Sequence, residues 1–490
     1  MSLDLNLGID FGTSFTKVCV RDTARENSWI VMFSDSHSLE DALLPTRIGI
    51  CQDGSILSSL TQSEWNEQPA SAYTVVDFIK MRLANLYLRL DQEGWQFPCQ
   101  LQRSIAGVDL NNAETIENLC AYYLSGVISR AKAWIEEHNA DLVRNQEINW
   151  SVNIGVPVQY ADSDAIAGFQ RVLHLGWLLS EDHPARITIS QLNAQLRILR
   201  RQLSTHADLF CSAIPEVAAA VYSYTVSRQA EPGTYIFFDI GSGTIEGASF
   251  NFWYENEMPR IDFYIGEVQP LGVHAAIKQI AERMGSPDAE SELITDLIRH
   301  DLLRGIDDCS EQLRRQHRLR RGDFVANRWH ISQRSIYEQF QNNLTEEERR
   351  SLQFILKQGD IHRQVAKVIM QTKAKNPAFY SSSVRLPIFI GGGGSAIQFY
   401  QSTISTTYDA FNHRFAGVPP YQARSFPMPA DLDQQISQQE FHRFSVAYGL
   451  SIPDYEMPEV RLPRLFPEQT VREFPIELGS STDGEYITSL

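Results

Sequence analysis

The sequence predicts an α/β protein built from two similar domains, and three observations lead to this prediction. The chain has 490 residues, more than a single hydrophobic core usually organises. Segments with the periodicity of strands alternate with segments that have the periodicity of helices. The stretch GIDFGTS at 8–14 also has a counterpart, FFDIGSGT, at 237–244. Each copy places an Asp at the end of a strand, followed by any residue, a Gly and a hydroxyl residue.

The composition excludes several classes of protein. A hydrophobic fraction of 43% is normal for a globular chain, and no apolar run approaches the roughly 18 residues of a membrane-spanning helix. The net charge of -17 disfavours nucleic-acid binding, because phosphate backbones require a basic surface. The N-terminus, MSLDLNLGIDFG, is acidic where a signal peptide is positively charged. We therefore expect a cytoplasmic protein that binds neither membranes nor nucleic acid.

The six cysteines are widely spread, with no CxxC pair and no Cys/His cluster at metal-ligand spacing. We expect buried free thiols, as in a reducing cytoplasm. The residues concerned are Cys19, Cys51, Cys99, Cys120, Cys211 and Cys309.

The first elements follow from local patterns. Residues 3–10 alternate apolar and polar side chains, break at Gly12 and resume as KVCVRD, so the first 22 residues are predicted to form a hairpin. Apolar positions at helical spacing predict a long amphipathic helix over 113–138. Strict alternation then predicts a strand over 147–158 that ends at Pro157.

The second half of the chain repeats this alternation. The near-continuous apolar runs at 234–240 and 386–390 predict strands buried on both faces. Between them, a capping box from Thr345 to Glu348 opens a helix predicted over 345–374. From about residue 456 the chain is rich in Pro, Glu and Arg, which indicates a loose tail.

The repeated Asp-x-Gly-[Ser/Thr] turn has a chemical use. Its Gly allows backbone N–H groups to approach an anion closely, and successive N–H groups with the hydroxyl form a cradle for a phosphate. An Asp beside a phosphate requires a cation between them, for which Mg²⁺ is the usual choice. We expect Asp10 and Asp239 to face each other across a cleft and hold this metal from both sides. Either turn alone is also consistent with a plain hairpin.

A third Gly-rich turn spans 391–395, after the strand at 386–390 and before a helix. Taken alone, such a turn is more often a flexible loop. In this context it indicates a place where a flat group such as adenosine lies against bare backbone. The P-loop pattern GxxxxGK[ST] is absent from the sequence, so the phosphate site belongs to another class.

These three motifs resemble those of a known superfamily. GIDFGTSFTK (8–17), FFDIGSGTIE (237–246) and FIGGGGSAI (389–397) look like the phosphate-1, phosphate-2 and adenosine motifs of actin, sugar kinases and heat-shock chaperones, in the same order. Five further segments resemble the seventy-kilodalton heat-shock chaperones: LPTRI (44–48), VVDFIKMRL (75–83), NIGVPVQY (153–160), PLGVHAAI (270–277) and RFSVAYGLSI (443–452). The resemblance covers residues 1 to about 455 and does not include a peptide-binding half.

The resemblance implies a two-lobed actin-like ATPase fold, made of duplicated ribonuclease-H-like domains with a nucleotide cleft between the lobes. The implied ranges are 1–230 for lobe I (core 1–37 and 147–230, insertion 38–146), 231–455 for lobe II (core 231–280 and 384–455, insertion 281–383) and 456–490 for the tail.

The resemblance also implies ATP or ADP as the ligand, with Mg²⁺ positioned through water by Asp10 and Asp239. The residues implied to contact phosphates are Gly12, Thr13, Ser14 and Lys17 in the first motif and Gly241, Ser242, Gly243 and Thr244 in the second. Those implied to line the adenosine pocket are Gly392, Gly393, Gly394 and Ser395. Catalytic roles are implied for Lys80, Asp10, Asp239, Glu216 and Thr244.

Two of these assignments have simpler alternatives. Lys80 is implied to orient the attacking water, but it could also be a surface lysine on an amphipathic helix. The chaperones carry their catalytic Glu in EPxAAA, whereas the sequence here reads AIPEVAAAVY at 213–222, so Glu216 is displaced by one residue. Glu216 is therefore either a usable catalytic residue or a first-turn acid favoured by the helix dipole. The displacement predicts a slow or inactive ATPase as readily as an active one.

The leading hypothesis is a chaperone-like switch that binds ATP, hydrolyses it slowly and acts on a partner protein through 281–383. An actin-like filament or scaffold ATPase and a nucleotide-binding pseudo-ATPase stay open as alternatives. A sugar kinase is disfavoured, because no motif supplies the carboxylate base that its substrate hydroxyl needs. Five arginines within 313–323 indicate either a solvated helix face or a docking site for an acidic partner or for the outer edge of the nucleotide; they are Arg314, Arg315, Arg318, Arg320 and Arg321.

Overall fold

The computed structural model describes an α/β protein with sheets of mixed parallel and antiparallel strands. The described residues are 2–34, 38–89, 104–105, 108–109, 112–203, 210–299, 301–308, 345–381, 384–411, 417–433 and 436–468. The chain divides into two compact units. The first contains Met1–Glu231, Glu255–Arg260 and Phe426–Val460, and the second contains Pro232–Tyr254, Ile261–Ser425 and Arg461–Leu490. The lobe boundaries given above are a different division and stay a prediction.

The secondary structure has the following bounds. The strands are β1 (Ser2–Phe11), β2 (Phe15–Asp22), β3 (Asn27–Ile30), β4 (Leu44–Pro45), β5 (Ile48–Cys51), β6 (Ile56–Ser58), β7 (Tyr73–Val76), β8 (Ser104–Ile105), β9 (Val108–Asp109), β10 (Glu147–Val156), β11 (Cys211–Pro215), β12 (Gly233–Ile240), β13 (Ile245–Glu255), β14 (Met258–Gln269), β15 (Leu386–Gly391), β16 (Tyr421–Arg424) and β17 (Glu459–Arg461). The α-helices are α1 (Gln62–Glu67), α2 (Ile79–Leu88), α3 (Ala113–His138), α4 (Ala140–Val143), α5 (Val158–Ala161), α6 (Ala165–Ser180), α7 (Ile189–Leu203), α8 (Glu216–Thr225), α9 (Val273–Met284), α10 (Glu290–Ile298), α11 (Glu346–Lys375), α12 (Gln398–Phe411), α13 (Gln438–Phe441) and α14 (Ser445–Leu450).

The main sheet of the first unit has the order β11-β10-β1-β2-β3, and β4 also pairs with β2. Strands β11, β10 and β1 are parallel, whereas β2 is antiparallel to both β1 and β3. The apolar side chains of β1, from Leu3 to Ile9, are buried, as in a central strand. The hairpin predicted in the first 22 residues is confirmed, and so is the strand predicted at 147–158, which ends at Val156 before Pro157.

Helix α3 spans Ala113–His138, the range that its apolar periodicity predicts. Asn112 caps its start, because its side-chain oxygen accepts a hydrogen bond from Thr115 N–H at 3.2 Å. The apolar face of α3 packs against α2, α6 and α7, which places these helices in one layer of the first unit.

The sheet of the second unit has the order β16-β15-β12-β13-β14-β17. Strands β16, β15 and β12 are parallel, and β13 is antiparallel to β12. The strands predicted at 234–240 and 386–390 are confirmed as β12 and β15. The predicted capping box is also present: Glu348 N–H donates to Thr345 Oγ1 at 3.2 Å, and Thr345 N–H donates to Glu348 Oε2 at 2.8 Å. The apolar face of α11, which this box begins, packs into the core of the unit.

Helix α14 belongs to the first unit and packs against β1, β10 and α8. Two buried asparagines hold its C-terminal end. Asn6 Nδ2 donates to the carbonyl oxygens of Leu450 and Ser451 at 3.3 and 2.8 Å, and Asn153 Nδ2 donates to those of Leu450 and Ile452, both at 2.9 Å. These bonds satisfy carbonyl groups that a helix end leaves without partners in the helix.

Two expectations about smaller features need correction or narrowing. Cys19, Cys120 and Cys211 are buried free thiols as expected, but Cys51 is only half-buried, and Cys99 and Cys309 lie outside the described residues. The expected loose tail is ordered where it begins, because β17 joins a sheet there and the Arg461 guanidinium bonds to Asp262 at 2.8 and 3.0 Å. Among the helices within the described ranges, none is both long and apolar enough to cross a membrane.

Candidate functional site

The first Asp-Gly turn connects β1 to β2 in the first unit. Asp10 is buried and lies opposite Lys17 in the β1–β2 ladder, and the two side chains form an ion pair. Gly12 N–H donates to the Asp10 carbonyl oxygen at 2.9 Å. A side chain at Gly12 would overlap the carbonyl oxygen of Phe15, so this turn requires glycine. The next two residues of the turn, Thr13 and Ser14, are partly exposed, as an anion cradle needs to be.

Lys80 belongs to the same unit but lies on a different element, helix α2. It is the second residue of α2, and Phe78, just before the helix, has a left-handed conformation with φ of 58°. Such a conformation is costly for an aromatic residue and is often found at functional sites. Lys80 is 5% exposed, so it is not the surface lysine of the simpler alternative. Its ammonium group forms an ion pair with the Glu216 carboxylate, 136 residues away in the sequence.

Glu216 is the first residue of α8, directly after Pro215 ends β11. It is therefore a first-turn acid, but it is also 5% exposed and paired with Lys80. Burial raises the pKa of the Glu216 carboxyl, the contact with Lys80 opposes this rise, and the negative charge of Asp10 adds to it. The Asp10 and Lys80 charges thus both act on Glu216, as expected of groups in one small region.

Gly155 makes room for Glu216. It follows Ile154, which pairs with Ile9, so it comes next to Asp10 along the parallel β1–β10 ladder. A Cβ atom at position 155 would lie 2.7 Å from Glu216 Cγ. The strand NIGVPV was noticed for its family resemblance, but the need for glycine there depends on a contact that the sequence does not show.

The second Asp-Gly turn connects β12 to β13 in the second unit. Gly241 N–H donates to the Thr244 carbonyl oxygen at 2.9 Å. The turn is also bonded to the start of α9, where Val273 N–H donates to Gly241 O at 3.1 Å and His274 N–H donates to Ser242 O at 2.7 Å. Because these carbonyl groups are directed at α9, the turn is held rigidly from that side.

Gly272 is a further residue of this region that sequence reasoning did not assign to the site. Its N–H donates to the Gly243 carbonyl oxygen at 3.3 Å. A Cβ atom at position 272 would lie 2.5 Å from Thr244 N, so only glycine allows α9 to approach the turn. The segment PLGV was the available signal, since Gly is the residue that allows two backbone segments to approach closely.

The third turn follows β15, which runs parallel to β12 with Gly391 opposite Asp239. Gly392 has φ of 81°, and a side chain there would overlap the Asp239 carboxylate. Gly394 is also confined, since a Cβ atom would lie 2.9 Å from Val273 Cγ2. By contrast, a Cβ atom at Gly393 would meet nothing within 4 Å.

Ser395 closes this turn, and its contacts refine the expectation that it lines an adenosine pocket. Its hydroxyl donates to the Gly392 carbonyl oxygen at 2.7 Å, and its N–H donates to the same oxygen at 3.1 Å. The buried hydroxyl therefore shapes the loop, while Gly393 leaves the space into which a flat ligand could fit.

The structure thus brings the predicted residues together in two groups. In the first unit, Asp10, Lys17, Lys80 and Glu216 form two ion pairs close to the Gly12 turn. In the second unit, Asp239 lies against Gly392, beside the turn from Gly241 to Thr244. The arginine-rich stretch at 313–323 lies outside the described residues.

Within the described part of the chain, no group of three or more His, Cys, Asp or Glu side chains converges as a metal site. A metal held through water by single carboxylates does not need such a group. In comparisons with known proteins, no protein-family model and no curated protein matches this sequence.

Proposed function

We propose that this chain is a Mg²⁺-dependent ATP-binding protein of the actin-like ATPase superfamily, similar to the nucleotide-binding half of the seventy-kilodalton heat-shock chaperones, and that it hydrolyses ATP slowly. One observation carries the proposal. Lys80 and Glu216 come from distant segments and meet as a buried pair beside the Asp10 turn. Burying two charges is costly, and groups with perturbed proton affinity collect at functional sites more often than elsewhere.

The topology of the two sheets supports a duplicated fold of this kind. In the first sheet, three parallel strands end at β1, and β2 follows as its antiparallel hairpin partner. In the second sheet, three parallel strands end at β12, and β13 follows in the same way. Asp10 and Asp239 lie at equivalent ends of the equivalent strands. The two-lobed actin-like arrangement with lobes at 1–230 and 231–455 is part of this proposal.

Each motif would then contribute to one ligand. The Gly12–Ser14 turn and the Gly241–Thr244 turn would contact phosphates, and the loop from Gly392 to Ser395 would contact adenosine. Asp10 and Asp239 would hold Mg²⁺ through water, and the metal would neutralise phosphate charge. The buried Asp10 carboxylate fits that task, because carboxylate oxygens are preferred ligands of Mg²⁺.

The buried pair has the groups that hydrolysis requires. Phosphoryl transfer depends mainly on positioning and on stabilising charge. The ammonium of Lys80 can stabilise negative charge on a terminal phosphate, and Lys17 can do so from the hairpin. Because burial raises the pKa of Glu216, this carboxylate is a better proton acceptor for water than an exposed glutamate.

A second candidate function is a nucleotide-binding scaffold that does not hydrolyse ATP. The observation that favours it is the mutual neutralisation of the four charges. Lys80 is paired with Glu216 and Lys17 with Asp10, so neither lysine reaches a phosphate without leaving a carboxylate. If these pairs persist when ATP binds, turnover will be absent.

In either case we propose that the protein is cytoplasmic and acts with a partner protein through 281–383.

The test is single-turnover ATP hydrolysis with Mg²⁺, measured together with ATP affinity. The variants are Asp10→Asn, Lys80→Ala and the double variant Lys80→Ala/Glu216→Gln. Removing Lys80 alone leaves a buried carboxylate unpaired, which typically costs about 3–5 kcal/mol of stability. The double variant removes that charge, so it shows whether Lys80 matters for turnover in a folded protein. Lys357→Ala is the matched control, because Lys357 is also buried, bonds to Gln279 and forms an ion pair with Asp360 at 3.4 Å.

For a switch ATPase, we expect the wild type to hydrolyse ATP slowly and both Lys80 variants to bind ATP without turnover. Asp10→Asn should lose the Mg²⁺ dependence of ATP binding. Lys357→Ala should keep both ATP binding and ATP hydrolysis. Tight ATP binding without wild-type turnover would select the scaffold function. Absence of nucleotide binding would exclude both functions.

A further inference from the structure

Arg47 is a cation near the first turn whose guanidinium is not neutralised by any carboxylate of the described residues. Its guanidinium carbon lies 4.6 Å from the centre of the Trp65 ring, in a cation–π contact. The side chain is half-buried, and its Nε is buried without a hydrogen-bond partner. A partly buried charge without a counter-charge is costly, so Arg47 is well placed to receive an anion.

The position of Arg47 relates it to both functional segments of the first unit. Thr46, its neighbour, donates its N–H to the Ser14 carbonyl oxygen of the first turn at 2.8 Å. On the other side, Ile48 pairs with Val76 in the β5–β7 ladder, four residues before Lys80. The two neighbours of Arg47 in the chain are therefore bonded to the Gly12–Ser14 turn on one side and paired with the strand that precedes Lys80 on the other.

The direction of the Arg47 side chain follows from its contacts. The Thr46 hydroxyl bonds to Thr16 Oγ1 at 2.8 Å and is buried in the unit. The neighbouring Arg47 contacts the Trp65 ring instead, so the two side chains have different partners. Gly49, two residues later, lies against the same ring, because a Cβ atom there would lie 3.1 Å from it. Gly49 thus leaves space for the ring that supports Arg47.

Trp65 is itself held in place. It is 2% exposed and belongs to α1, where the neighbouring Glu64 accepts hydrogen bonds from Arg130 at 2.7 and 2.8 Å. The cation–π contact holds the guanidinium beside this ring. A fixed planar fork of donors is the geometry that binds phosphate oxygens in pairs.

We propose that Arg47 binds the terminal phosphate of a nucleoside triphosphate held at the Gly12–Ser14 turn, and so distinguishes ATP from ADP. This inference rests on the proposed function. The charge balance supports it, because Lys17 and Lys80 are neutralised by Asp10 and Glu216. A triphosphate with one Mg²⁺ still carries negative charge, and Arg47 supplies an additional cation beside the turn.

The experiment measures the affinities of the full chain for ATP and ADP with Mg²⁺, by calorimetry, for Arg47→Gln and Arg47→Lys. Arg130→Gln is the matched control, since it removes an arginine that anchors the same helix α1 through Glu64. We expect Arg47→Gln to lose at least about tenfold in ATP affinity, as for loss of a charged hydrogen bond, and to bind ADP nearly unchanged. Arg47→Lys keeps the positive charge but lacks the planar pair of donors, so it should lose less ATP affinity than Arg47→Gln. Arg130→Gln should keep the wild-type ratio of ATP affinity to ADP affinity.

Two results would overturn the role of Arg47 while leaving nucleotide binding intact: an unchanged ATP-to-ADP ratio in Arg47→Gln, or an equal loss of ATP affinity in Arg130→Gln. If Arg47→Gln does not fold, Arg47→Lys decides the question, because an unchanged ratio in that variant also contradicts paired phosphate binding. A wild-type protein that binds neither nucleotide would overturn the proposed function and this inference together.

Discussion

Gly392 and Gly393 are adjacent in the sequence but have different surroundings. Gly392 needs a positive φ of 81° and lies against Asp239, whereas the space around Gly393 is open. The run of four glycines gives no means of telling these positions apart. Only the contact with the end of β12 separates the glycine that the backbone needs from the one whose surroundings are open.

We expect Gly392→Ala to lower the free energy of unfolding by about 1–3 kcal/mol, because it adds backbone strain and a steric overlap. Gly393→Ala should change it by less than about 0.5 kcal/mol. Urea unfolding of both variants tests this difference. Equal destabilisation would show that the two glycines do not have the distinct surroundings described above. If adenosine lies against this loop, Gly393→Val should weaken ATP binding in a protein of normal stability.

At the scale of elements, helix α14 depends on two strands that are far away in the sequence. Asn6 of β1 and Asn153 of β10 both donate to carbonyl groups at its end. The resemblance of RFSVAYGLSI to a chaperone segment implies a helix here. The resemblance does not reveal that two polar residues on apolar strands complete it, or that the segment packs in the first unit.

We expect Asn153→Leu to cost about 1–3 kcal/mol of unfolding free energy, because it removes the side-chain donor to the Ile452 carbonyl oxygen and one of the two donors to Leu450. Asn149 lies on the same strand but is exposed and bonds to Asp4 at 2.8 Å. Asn149→Leu should therefore cost no more than about 0.5 kcal/mol. Thermal melting of the two variants gives the comparison, and a larger loss in Asn149→Leu would contradict the capping role of Asn153.

For the whole molecule, stability should depend on pH through histidines held neutral in the first unit. Burial lowers the pKa values of His174, His183 and His442. For His183, burial and the positive charge of Arg130 lower the pKa from 6.5 to about 4. Its Nδ1 lies 2.8 Å from the Ser125 hydroxyl, and its ring stacks on Tyr122. The folded protein therefore binds protons at these sites less readily than the unfolded chain.

Because these folded-state pKa values are depressed, the associated stability is fully present above the unfolded value of 6.5 and is lost as pH falls toward about 4. We expect the midpoint urea concentration of unfolding to decrease as the pH falls through this range. For His183 alone the loss is on the order of 1–2 kcal/mol after allowance for partial exposure. His183→Gln should flatten the pH dependence, and the exposed His138→Gln should not. Equal flattening in both variants would contradict this assignment.

The sequence by itself determined the α/β class, several element boundaries and the location of three glycine-containing turns. These features depend on local periodicity, capping and turn chemistry, which are properties of short segments. That is why the ranges of α3, β12 and the start of α11 could be predicted closely.

Only the tertiary structure decided which of the predicted residues meet. The pairing of Lys80 with Glu216, the place of Arg47 over Trp65 and the need for glycine at 155 and 272 all arise from contacts between distant segments. Such contacts depend on how sheets and helices pack, and local sequence patterns do not encode them uniquely. The ion pairing of both lysines is therefore a property of the folded chain.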